Sequence, residues 1–308
     1  MSDKLNFDEL KAEGALPSPR GVALTVMQLC QQEDIALPVL AHTILGDPAL
    51  AGHIIKLANI VNPNKNRPIA SVTTDTLILI GIHAIRQAVI GHALITAYQK
   101  GKCSEFDYRH FWSNSAAMAC AAQSIGTVVR IAPLAEVFTC GLLAEVGQLG
   151  LATARPDAYS TLLKQYAGKP LNELIQAESH QFGMDRRTLA GAMLADWGMP
   201  RLFVDAVSFY DHPESSGFAP GSRHLNLILA LQLAALLANI YTAPDHARAA
   251  LVPGIFEIGT TLDLNAERVV AIANQAALDW LDWGELLNIK TSAVPLFETA
   301  DDAGEVVP

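Results

Sequence analysis

Apolar residues recur at helical spacing along almost the whole chain. Leu50, Ile54, Leu57, Ala58 and Val61 stand at i, i+4, i+7, i+8 and i+11, which lays one stripe along a single helix face. Asp47-Pro48 opens that stripe: the carboxylate caps free N–H groups, and proline at the first helical position lacks an N–H that would go unpaired anyway. The same device near Pro38 predicts the preceding helix, and Val22, Val26 and Leu29 predict another over about Pro19 to Gln31. Further helices are predicted over Val72–Ile80, Ala84–Gln99, Tyr108–Val128 and Leu134–Leu151. Beyond Ala152, Pro156, Pro170 and Pro200 punctuate short helices, with Gly168, Gly183 and Gly198 at their expected ends. His212–Gly221 (HPESSGFAPG) reads as a linker, followed by a long helix to about Tyr241, an irregular stretch and a last helix over Ala266–Leu287. No segment alternates apolar and polar residues between turn signals, so the expected class is all-α.

Composition sharpens this picture. Of the 308 residues, 51% are apolar and 17% charged, which predicts a sizeable core and an ordered chain. The formal net charge is −10, which argues against nucleic acid or an anionic lipid surface as the main partner. The stretch Leu225–Ala243 carries no charge and approaches the length of a bilayer span. Asn226, Gln232 and Asn239 interrupt it, so a buried helix is expected and no membrane span. Asp3, Lys4, Asp8, Glu9 and Lys11 near the start leave no secretory h-region, and a cytoplasmic location is expected. Cys30, Cys103, Cys120 and Cys140 form no C-x-x-C pair and are expected as buried, reduced thiols. The tail from Glu298 carries acidic and no basic residues and is expected to fray into solvent.

Three stretches together resemble the HDOD family, a bacterial signalling relative of the HD phosphohydrolases. Leu16-Pro17 followed by GDPALAGHIIKLANIV (Gly46 to Val61) is similar to its Asp-Pro, helical-stripe, Leu-Ala-Asn signature. Ile69-Ala-Ser-Val and the helix ending at Ile80-Gly81 resemble the family's second segment. Phe111-Trp112, Gly141-Leu142-Leu143 and FGMDRRTLAGAMLADWGMP (Phe182 to Pro200) resemble its HD-like half. The resemblance covers residues 16–213 and implies an N-terminal helical lobe (16–101) and an HD-like lobe (102–213). A lead-in (1–15) precedes them and a helical extension (214–308) follows. Individually, these motif residues have structural roles: Asp47 as a helix cap, Asn59 bonding backbone or a ligand, Trp112 and Trp197 as core anchors.

An HD enzyme, as the resemblance implies, converges histidines and aspartates on divalent metals that activate water against phosphate. The motif places Asn114 where the early histidine belongs, Ala144-Glu145 where the His-Asp pair belongs, and Arg186 where a further histidine is common. Only Glu145 and His212 of the expected set retain ligating groups, so no metal and no other cofactor is expected. The nine histidines agree, since no two fall at i, i+3 or i, i+4 and no H-E-x-x-H occurs. His92 shares a helix face with Ile85, Ala88 and Ile95 and is expected as a hydrogen-bonded core residue. Glu145 follows Leu142 by three on an apolar stripe, so it needs a buried partner, an arginine or His212. Walker, G-x-G-x-x-G and G-x-S-x-G motifs are absent.

The leading expectation is therefore a non-catalytic regulatory protein that contacts other signalling proteins, with a homodimer as an open possibility. A small anionic or nucleotide ligand would find Arg186 and Arg187 as its natural contacts, unless these line a solvated helix face. The alternative is a metal-dependent phosphohydrolase with a non-standard ligand set.

Overall fold

Helix caps and apolar stripes translate directly into the architecture of the chain, a computed structural model that describes residues 6–18, 21–30, 34–64, 66–294 and 296–297. Among the described residues there are helices and no strand. The N-terminal part contains α1 (Phe7–Ala12), α2 (Val22–Leu29), α3 (Leu37–Leu45), α4 (Pro48–Val61), α5 (Thr74–Ile80) and α6 (Ile82–Ala97). Then come α7 (Tyr108–Val129), α8 (Leu134–Leu143), α9 (Val146–Ala154), α10 (Pro156–Gln165), α11 (Leu171–Phe182), α12 (Arg186–Asp196) and α13 (Arg201–Phe209). A single 3-10 turn, Pro213–Ser216, leads to α14 (Arg223–Thr242), α15 (Asp245–Thr261) and α16 (Ala266–Leu287).

Asp47 caps α4 as expected, its Oδ1 accepting from the N–H groups of Ala49 and Leu50 at 3.1 Å each. At the other end of α4, Asn59 acts on backbone. Its Nδ2 donates to the carbonyls of Ile55 (3.0 Å) and Ile69 (2.8 Å), and its Oδ1 accepts from the N–H of Ile69 (2.8 Å). Two stretches of the sequence motif are thus joined through one side chain. Gly81 makes the next corner: its φ of 87° is open to glycine, and α5 meets α6 there at 93°.

The centre of the molecule is α7. Ala116, Ala117, Ala119, Cys120, Ala121 and Ala122 are all buried, so the helix is enclosed on every side, and its small residues let neighbours approach closely. A Cβ on Gly141 would stand 2.8 Å from the carbonyl oxygen of Met118, which shows how tightly α8 crosses α7. Helices α14 and α16 also pack against α7. Trp280 Nε1 donates to the carbonyl of Ser113 (2.9 Å), the Ser113 hydroxyl donates to the carbonyl of Lys290 (2.6 Å), and Tyr241 donates to the carbonyl of Ala273 (2.7 Å). The residues after 213 thus complete the same core that the earlier helices begin.

Several expectations need correction. The helix predicted over Leu134–Leu151 is two helices, because the chain leaves helical geometry at Glu145 (φ −95°, ψ 9°). The stretch predicted as irregular after Tyr241 is α15, which tolerates Pro253 in its interior. Within the lead-in, for which no element is predicted, lies α1, whose Leu10 is buried and whose Lys11 pairs with Asp196. Cys103, Cys120 and Cys140 are buried and free as expected, whereas Cys30 is only partly covered. The acidic tail from Glu298 lies outside the described residues, as do Pro19 and Gln31. By length and composition, Leu134–Ala154 and Arg223–Thr242 are apolar enough to cross a bilayer; here the first is broken at Ala144-Glu145 and the second packs on α7, α13 and α15.

Candidate functional site

A cavity of about 340 Å³ opens between α7, the α8–α9 corner, the start of α12, the end of α13 and α14. Periodicity supplies two of its walls. On α7, His110, Phe111, Asn114 and Met118 share a face, and on α14 Gln232, Ala235, Leu236 and Asn239 stand at i, i+3, i+4 and i+7. Glu145 and Gln148 enter from the corner, Arg186 from the first turn of α12, and Tyr210 and Asp211 from just beyond α13. Gly147 makes this meeting possible: a Cβ there would stand 1.8 Å from the carbonyl oxygen of Arg186.

The strongest electrostatic feature is a buried ion pair. Arg186 Nε donates to both carboxylate oxygens of Glu178 (2.9 and 3.1 Å), and its Nη2 donates to Oε1 at 2.5 Å. The backbone N–H of Arg186 also donates to Glu178 Oε2 (3.1 Å), and the hydroxyl of the fully buried Tyr159 donates to Oε1 (3.0 Å). Glu178 is 0% exposed and Arg186 7%, so each charge depends on the other for compensation. Beside it, Arg187 pairs with Asp211, whose Oδ1 also lies 2.5 Å from His212 Nδ1. Glu145 accepts from the Tyr210 hydroxyl and from Gln148 Nε2. It is partly buried, and burial raises its carboxyl above the ordinary range despite the nearby Arg186 charge.

The structure therefore brings Asn114, Glu145 and Arg186 to one cavity, as their motif positions suggest. Ala144 is buried and does not line it. His212 also stays outside the lining; its partner is Asp211, not Glu145. Neither arginine lies on a solvated face, since Arg186 is buried with Glu178 and Arg187 pairs with Asp211. The amide of Asn114 donates to Asn239 Oδ1 and Thr242 Oγ1, both at 3.2 Å. Sequence reasoning missed Glu178, Tyr159, Tyr210, Gln232 and Asn239. One signal was available for Glu178, a carboxylate on the apolar stripe with Ile175 and Phe182. Tyr210 reaches Glu145 across 65 residues of sequence, with no local signal.

A divalent metal does not fit these residues. Among the described residues no group of three or more His, Cys, Asp and Glu side chains is placed to hold one. Carboxamide and methyl groups stand at Asn114 and Ala144, and the Arg186 guanidinium adds positive charge to the wall. A second unexpected cluster lies elsewhere in the core. His53 and His92 pack with ring centroids 5.8 Å apart, and His53 abuts Trp283 at 5.0 Å. Both ring nitrogens of His53 and the Nδ1 of His92 lack a hydrogen-bond partner, contrary to the hydrogen-bonded role expected of His92. Burial, aided by His92 and Lys56, pushes the His53 imidazole down to about 3.

The model of the HDOD domain matches residues 16–213, about two-thirds of the chain. The chain belongs to the HDOD family. This HDOD protein is 34% identical to the MmoQ response regulator from Methylococcus capsulatus str. Bath; the match covers 83% of this chain and 97% of that one, with a TM-score of 0.53. An HDOD domain protein of unknown function from Geobacter sulfurreducens shares the fold at 20% identity, covering 91% of this chain and 97% of its own, with a TM-score of 0.62. So does a protein from Shewanella amazonensis named as a candidate phosphohydrolase, at 22% identity, covering 90% and 97%, with a TM-score of 0.61. No curated protein matches the chain.

Proposed function

We propose that this HDOD protein is a non-catalytic signal-transduction module of the bacterial cytoplasm that works through contacts with other signalling proteins. The observation that carries the proposal is the state of the cavity. Where phosphohydrolase chemistry calls for imidazoles and carboxylates converging on a metal, the motif positions carry Asn114, a hydrogen-bonded Glu145 and an Arg186 paired with Glu178. The His110 and Asp211 that also line the wall form with Glu145 no group placed to hold one. Of the expected ligand set only Glu145 lines the cavity, and its two oxygens already accept from Tyr210 and Gln148. The 34%-identical MmoQ, named as a response regulator, supports the signalling part. The acidic balance of the chain supports a protein partner over nucleic acid, and the packing of α14 against α7, α13 and α15 supports a helix that serves the core, not a membrane.

Elemental analysis of the purified full chain, with a phosphoesterase assay in added Mn²⁺, tests the catalytic half. The expected result is no stoichiometric metal and no turnover above buffer. Bound metal with turnover would overturn the proposal in favour of the phosphohydrolase alternative. Affinity capture from the native host with mass spectrometry tests the other half, and recovery of no signalling protein above control would count against it.

A further inference from the structure

Both arginines that sequence suggested for anion recognition are already occupied. Arg186 is held by Glu178 and Tyr159, and Arg187 by Asp211. Unpaired cations gather elsewhere. A cleft of about 410 Å³ opens where the chain leaves α6, α7 begins and α16 ends, and it shares no lining residue with the cavity of Asn114 and Glu145. Lys100, Arg109 and Lys290 stand around it, all exposed, against a single carboxylate, Glu285. Acidic residues outnumber basic ones 31 to 21 in this chain. Even so, among the described residues none of these three cations lies within ion-pair distance of a carboxylate.

The backbone that carries the charges is anchored to the core. Trp112 Nε1 donates to the carbonyl of Tyr98 (2.9 Å), two residues before Lys100. The Ser113 hydroxyl holds the carbonyl of Lys290 itself, and the N–H of Ile289 donates to the carbonyl of Gly284 (2.8 Å). Tyr108, Trp112 and Ile289 are buried and close the floor of the cleft. Helix dipoles then set one cation apart. Lys100 and Lys290 follow the C-terminal ends of α6 and α16, where a cation is favoured. Arg109 lies in the first turn of α7, a 22-residue helix with no acidic residue in that turn, and there the dipole disfavours it. A cation kept against the local field is the kind of conflict that marks a functional position, and the same field favours an anion beside it. The net charge of −10 does not reverse this, because screening confines distant charges to about 8 Å at physiological ionic strength.

We infer that this cleft binds a small organic dianion, its oxyanion between Arg109 and the two lysines. The volume falls in the range of small-molecule pockets, which favours such a ligand over a flat protein contact. A phosphate monoester and a dicarboxylate share the required chemistry, and Arg109 can meet either through two parallel N–H donors. Isothermal titration of the full chain with phenyl phosphate, phthalate and neutral phenol tests the inference. Saturable binding of a dianion, weakened by added salt, is expected without binding of phenol, and the dianion that binds identifies the source. Arg109→Gln should weaken it about tenfold or more, Lys290→Gln severalfold, and Arg109→Lys less than Arg109→Gln. Lys169→Gln, at an exposed cation outside the cleft, should leave it unchanged. Without ligand, the melting temperature of Arg109→Gln should hold or rise, which an arginine serving the fold would not allow. Binding of neither dianion, equal binding of phenol, or binding unchanged in both glutamine variants would overturn the inference. None of these outcomes bears on the non-catalytic reading of the other cavity, so the two failures are separable.

Discussion

Replacing Glu178 by alanine removes the carboxylate that, alone among the described residues, contacts the Arg186 guanidinium at hydrogen-bond distance. Three charge-assisted side-chain hydrogen bonds vanish, the backbone N–H of Arg186 loses its acceptor, and so does the buried Tyr159 hydroxyl. Breaking a buried pair from one side typically costs about 3–5 kcal/mol, because the remaining charge stays desolvated. Glu145 is close enough to Arg186 to feel its charge and can absorb part of that loss, which favours the lower half of the range. For a chain of this size about 2 °C of melting temperature follows each kcal/mol, so Glu178→Ala should melt about 6–8 °C lower. Thermal and urea unfolding followed by circular dichroism would measure this. The double variant Glu178→Leu with Arg186→Met should recover most of the loss, since neither charge then needs compensation. A single-variant loss below about 1 kcal/mol, or a double variant as unstable as the single, would refute the reasoning.

Glu145→Gln should stabilise the protein at neutral pH. The folded carboxyl is raised, so its favourable contribution exists at low pH and is lost as pH rises through the folded value; the advantage of the variant should therefore vanish below the ordinary carboxylate range in pH-resolved melting curves. His53 runs the other way. Its folded value of about 3 lies below the usual 6.5, so the neutral ring supports the fold above pH 6.5 and that support drains away as pH falls toward 3. His53→Leu should flatten the acid side of the stability profile over that window, and a parallel profile would count against the buried-imidazole account. Gly147→Ala should cost about 3 kcal/mol or more, because the clash is with backbone that no rotamer change relieves. Native-like unfolding of that variant by urea would contradict the close α9–α12 approach.

The site residues divide by how they announce themselves. Asn114 and Arg186 were legible because the motif marks their positions, and the structure places both on one cavity with Glu145. The need of Glu145 for a partner was legible from its place on an apolar stripe; the identity of that partner, Tyr210, was not. Arg186 illustrates the limit most clearly. Its charge suggested a free anion contact, and only the packing of α11 beside α12 brings Glu178 beneath it.

By itself the sequence determined the helical class, most helix starts and the family, because caps and apolar periods act over a few residues. Asp47, Asp107 and Asp185 each bond N–H groups two and three residues away, and such local contacts are written in adjacent letters. Tertiary structure alone decided which charges cancel, where the α8–α9 break falls and that the final helices complete the core around α7. Those outcomes depend on close approach between residues far apart in sequence, and no local pattern encodes the partner across such a distance.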